Sequence, residues 1–244
     1  MTSNPMMNER VYEGIISTDK PMTISGTVNK TMGLLAIVVL VSAYTWHLVT
    51  TGFADKLNLL MWTGAIAAFV MAVIAAFKPQ YSKPLSIAYA AFKGLFLGGI
   101  SAVFNAMYPG IVVQAVAGTF ISMFVMLLLF KARLIRATER FKSTVLTATL
   151  SIALFYGLAV ILGLFHINGP LQLISSSGLL GIGLSVFVII IACLNFILDF
   201  DYIETGAQRM APKYLEWYGA LSLLITLIWL YLEILRLLAK LNRR

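Results

Sequence analysis

The chain has 244 residues, of which 60% are hydrophobic and only 11% charged, with a formal net charge of +8 and a mean hydropathy of +0.90. Soluble domains carry roughly 25% charged residues, so this sequence lacks the polar surface needed to face water, and its solvent is lipid. Its basic residues sit in short clusters beside apolar runs, where they mark topology and meet anionic headgroups, which argues against nucleic acid as a partner.

The first 29 residues are polar, mixed in charge and without an apolar core or a small-residue cleavage site, so they read as a cytoplasmic arm and not as a secretory leader. Crossing ~30 Å of hydrocarbon takes about 20 apolar residues in a helix. Seven stretches qualify, at 31–49, 57–77, 85–107, 111–130, 145–165, 173–198 and 215–238. They are continuous and rich in Leu, Ile, Ala and Gly, without the alternation of a membrane β-barrel. The expected fold is an all-α integral membrane protein, a bundle of seven transmembrane helices over residues 30–244 preceded by the arm at 1–29. No internal repeat suggests the inverted symmetry of a transporter.

Lys and Arg in the short loops set the orientation. The link after the second span holds Lys78 and Lys83, and the link after the fourth holds Lys131, Arg133, Arg136, Arg140 and Lys142 against Glu139. The other three links hold only Lys56, so they face outward and the N-terminus is cytoplasmic, in an inner or plasma membrane. The tail disagrees. Seven full crossings place it outside, yet it carries Arg236, Lys240, Arg243 and Arg244. Gly94 and Gly98 form a GxxxG, and Gly178, Gly181 and Gly183 open the sixth span; small residues of this kind let helices pack closely, here most simply within the chain.

In lipid each ionisable side chain is expensive unless paired or hydrated, so these residues carry the functional information. The densest group closes the sixth span: Asn195, Asp199, Asp201 and Glu204 in LNFILDFDYIETG. At about 100° per residue, Asn195 and Asp199 share one face while Asp201 and Glu204 share a nearly opposite one. They form an acidic cytoplasmic mouth that attracts cations, or a helix end with solvated acids. Glu204 fits the second description; both stand for Asp199 and Asp201. In the seventh span, Glu233 has Arg236 three residues on, the spacing of an ion pair on one helix face or of two side chains snorkelling at a boundary. Thr226 lies seven residues before Glu233, on almost the same face and about 10 Å away, and Lys240 lies seven after it. Lys93, well inside the third span, either reaches the interface along its stem or pairs with an acid of the sixth.

His47 and His166 have no ligand spacing, and the lone Cys193 makes neither a disulfide nor a metal cage. Ser175, Ser176 and Ser177 stand outside any GxSxG, the aspartate pair lacks a GxGD context, and no HExxH or phosphate loop occurs. Neither an enzyme nor a cofactor is expected.

GLFLGGISAVFNAMYPGIVVQAVAGTF (94–120), Phe200-Asp201, the LDFDYIE and APKYLEWYGA stretches, and GALSLLITLIWLYLEILRLLAKL (219–241) resemble the Bax inhibitor-1 superfamily, in particular its bacterial, YccA-like branch. The resemblance runs from about Lys30 to the end. It implies a seven-helix bundle with the last helix central, and a leak for cations, chiefly calcium, gated by protons through carboxylates on the last two spans. Asp201 matches the superfamily's aspartate in the sixth span. In the seventh, Thr226 stands where an aspartate is usual, with Glu233 two turns later. Asp199, Asp201 and Glu233 are thus the expected ion-path and pH-sensing residues, with Lys93 and Arg236 as their charge partners. The alternative is a non-conducting regulatory protein, such as a modulator of a membrane protease or of a stress response, with the arm and the basic link as contact surfaces.

Overall fold

A computed structural model describes residues 21–51, 57–167 and 169–243. The expected arm falls largely on residues 1–20, outside the described residues, as do Lys56 and Arg244. The described elements are α1 (Ile24–Thr50), α2 (Leu57–Phe77), a 3-10 turn (Pro79–Tyr81), α3 (Ser82–Met107), α4 (Ile111–Lys131), α5 (Glu139–Leu164), the short α6 (Gly169–Ser175), α7 (Leu179–Gln208) and α8 (Leu215–Asn242). All but the turn and α6 are long and apolar enough to span a bilayer, seven in all among the described residues. Leu40, Phe69 and Leu154 are each at least 70% exposed, a surface that only lipid can cover.

Helix ends differ from the sequence reading where side chains or carbonyls bind the backbone. Thr23 caps α1 by accepting from the Gly26 N–H at 3.0 Å, so the first helix begins at Ile24, seven residues earlier than its apolar run. Thr138 does the same for α5 through the Phe141 N–H. The expected sixth span is two helices. The Ser176 hydroxyl accepts from the Gly178 N–H at 3.0 Å, a turn that ends α6 before α7 starts at Leu179. From there α7 runs to Gln208, so Asp199 and Asp201 lie inside a helix and not at its end.

Helices α4, α5 and α7 each stop at a non-glycine residue in the left-handed region: Arg133, His166 and Met210. In each case the next N–H returns to a carbonyl five residues back, Leu134 to Leu129, Ile167 to Leu162 and Ala211 to Gly206, the Schellman closure of a helix end. His166 is therefore a helix terminator.

The chain divides into two compact units, the first comprising Met1–Met107 and Asp201–Ile225, the second Tyr108–Phe200 and Thr226–Arg244. In the first, α3 packs against both α1 and α2. A Cβ on Gly94 or Gly98 would run into the α1 backbone at Val38 or Ser42. The GxxxG is thus spent on close approach of α1, and Ser42 adds a hydroxyl bond to the Gly94 carbonyl at 3.1 Å. Buried Thr31 and Thr45 return their hydroxyls to carbonyls four residues back, which satisfies them without water.

In the second unit, Ile152 of α5 and Val188 and Ile191 of α7 form a buried cluster, with Tyr156 and Trp229 packed against it. The apolar stretch of α8 is 56% buried, against 17% for α1, α2 and α5. It is the most buried of the seven.

Candidate functional site

Three acids among the described residues are buried: Asp199, Glu216 and Glu233, with Glu216 and Glu233 each only 1% exposed. In lipid such groups persist only where the fold supplies donors. Two of them lie in the second unit, Asp199 on α7 and Glu233 on α8.

Thr226, Glu233 and Lys240 recur every seven residues, which keeps them within about 40° on one helix face and spreads them over roughly 21 Å. All three are buried. At the first position the Thr226 hydroxyl donates to Asp199 Oδ2 of α7 at 2.7 Å. At the second, Arg236 donates to Glu233 Oε1 at 2.7 Å and to the Tyr156 hydroxyl of α5 at 3.1 Å. The Tyr156 hydroxyl in turn reaches Glu233 Oε2 at 3.4 Å, and the guanidinium lies 5.3 Å above the tyrosine ring. At the third, the Lys240 ammonium donates to the Gly181 carbonyl and the Ser185 hydroxyl of α7, each at 2.7 Å. One turn before Asp199, Asn195 donates to Thr149 of α5 and to the Ile191 carbonyl, both at 2.8 Å. This amounts to a ladder of polar groups between α8 and its neighbours α5 and α7. Its charged members, Asp199, Glu233, Arg236 and Lys240, sum to zero.

The Glu233–Arg236 pair forms as the spacing suggested. The residue that meets Thr226 is Asp199, where the resemblance pointed to Asp201 as the aspartate of that pair. Asp201 is half-buried and belongs to the first unit, as does Lys93, whose ammonium lies 5.0 Å over the ring of Phe96 on its own helix. Glu204 accepts from Gln208 one turn on at 3.4 Å. His47 is exposed in the last turn of α1, and Cys193 is a free, partly buried thiol of α7. Arg236 and Lys240 are consumed inside the second unit, and Arg243 donates to the Tyr108 hydroxyl at 3.2 Å.

Sequence reasoning missed two things. The heptad spacing of Thr226, Glu233 and Lys240 was visible, but that Lys240 belongs to the interior was not. In the first unit, Glu216 accepts from the Thr23 N–H at 2.9 Å and the Thr23 hydroxyl at 3.0 Å, and pairs with Lys30. The Lys30 ammonium also lies 5.4 Å from the ring centre of Trp217. An acid in the first turn of α8 gains further from that helix's positive end.

No curated protein matches the chain. A family model described as Bax inhibitor 1 like matches residues 4–243, nearly the whole length. That extent of match, on a chain whose described residues include seven helices long and apolar enough to span a bilayer, makes this protein a member of the Bax inhibitor 1 like family.

Proposed function

We propose that this multi-pass membrane protein is a cation leak, with calcium the expected ion, whose path follows the polar ladder of α8 past Asp199 and Glu233. The observation that supports this most is the burial of two carboxylates in a membrane-spanning unit, each held by groups that can turn away: a threonine hydroxyl for Asp199, and an arginine on the same helix for Glu233. A partly dehydrated cation needs such oxygens in place of its water. When Arg236 swings off, Glu233 becomes an acceptor for the ion, and Tyr156 remains to hold its orientation.

The membrane is an inner or plasma membrane with the N-terminus cytoplasmic, following the basic links. Protons act on the leak by neutralising these carboxylates, which weakens cation binding at low pH. The test is calcium entry into dye-loaded proteoliposomes. Asp199→Asn and Glu233→Gln are each expected to lower the flux at least several-fold with the fold intact by circular dichroism. Unchanged flux in both variants overturns the reading.

A second reading has an observation of its own. Glu233 is paired with Arg236, and the charges of the ladder sum to zero, which suits a closed structural core. Under it the protein regulates another membrane protein, such as a protease, without conducting. Purified wild-type protein that passes no calcium at any pH, yet captures such a partner, selects this alternative.

A further inference from the structure

We propose that the first unit holds a binding site for one anionic phospholipid, at a place that the leak path does not use. The site is a cavity of about 480 Å³ running down one side of α1, within the roughly 300–1,000 Å³ typical of ligand pockets. Both Thr23 and Ile37 line it, and they are about 21 Å apart along the helix. Its walls change character over that length. Near the start of α1 they are Asn29, Lys30 and Lys213; deeper they are Leu34, Ile37 and Ile87.

The charges favour an anion. Glu216 also faces the cavity, but Lys30 and the two Thr23 donors already occupy it. Two lysines against one acid leave the polar end positive, with Lys213 exposed at the mouth. Lys30 is held in place by Glu216 and the Trp217 ring, while Lys213 has room to close on a phosphate. Basic pockets between spanning helices are where anionic headgroups bind.

The deeper end argues for a lipid and against a soluble anion. A free phosphate would use only the lysine end and leave the aliphatic floor wet, whereas an acyl chain covers it. Gly33 keeps that floor open: it lines the cavity, and a Cβ placed there meets no atom within 4 Å. Gly26, about two turns nearer the start of α1, has no such space, because a Cβ there would collide with the Glu216 carboxylate. Filling the slot from position 33 is therefore a clean intervention, and leucine is a better helix former than glycine.

The experiment uses the full chain in nanodiscs of phosphatidylcholine mixed with phosphatidylglycerol, followed by transfer to detergent and native mass spectrometry of retained lipid. Wild type is expected to keep one phosphatidylglycerol per chain in preference to phosphatidylcholine. Lys213→Ala is expected to weaken that preference about five-fold, and Gly33→Leu to abolish retention of either lipid with melting temperature unchanged or raised. Ile37→Phe fills the same slot and carries the same expectation should Gly33→Leu fail to express. Equal retention of both lipids by wild type, or undiminished phosphatidylglycerol in the slot-filling variants, overturns the proposal. So does displacement by glycerol 3-phosphate at matched concentration, which assigns the pocket to a free anion.

Discussion

The first and second units each bury a glutamate of α8, and they treat it differently. Glu216 is met by three donors, two from Thr23 and one from Lys30, on a helix 186 residues or more away in the chain. Glu233 is met by Arg236 on its own helix and, at longer range, by Tyr156. Releasing Glu216 means separating α1 from α8. Releasing Glu233 needs only a rotamer change of a side chain that remains 32% exposed. The same residue type thus joins two helices in one unit and pairs within its own helix in the other.

The largest effect that sharpens this contrast is expected from Glu216→Ala. It leaves Lys30 and the Thr23 donors without their acceptor, and loss of one partner of a buried pair costs about 3–5 kcal/mol. Thermal unfolding in detergent should move down sharply, or the protein should fail to accumulate; a melting temperature within error of wild type would remove this link between α1 and α8 from the account. Thr226→Asp comes next. It places a second carboxyl against Asp199, and two carboxyls at hydrogen-bond distance share a proton at low pH and repel once both are ionised. Calcium flux in that variant should therefore rise with pH more steeply than in wild type, where a hydroxyl stands opposite. Flux measured across pH 5 to 8 checks it, and parallel profiles would dismiss the pair as a gate. The smallest effect is expected from Tyr156→Phe, which deletes one hydroxyl shared by Arg236 and Glu233. It should cost about 1 kcal/mol, visible as a modest melting shift with conduction retained.

The spans and their packing signals were legible because lipid imposes a length and a composition that few other environments demand. Gly94 and Gly98 stood out for the same reason, and the Glu233–Arg236 pair followed from spacing alone. What escaped depends on partners distant in sequence. Glu216 was passed over because α1 was read from its apolar run, which left Thr23 and Lys30 in the arm or at its edge; only the Thr23 cap extends the helix far enough to bring both to the carboxylate. Asp199 and Asp201 fall on nearly opposite faces and the resemblance favoured Asp201, but nothing local says which of the two meets a threonine of α8. The break at Ser176–Gly178 was missed for another reason: the run Ser175-Ser176-Ser177-Gly178 is a turn signal, but with apolar residues on both sides and no charge or proline it was read as part of one span.

The capped ammonium of Lys240 bears on how the protein is made. Its carbonyl acceptor belongs to Gly181, synthesised 59 residues earlier, so the ammonium gains that hydrogen bond only once α8 lies against α7. Until then the ammonium keeps to headgroup water, and the last turns of the helix stay with it. For most spans, entering the bilayer and finding neighbours are separable stages; for this one, seating the C-terminal end and docking on α7 become a single event.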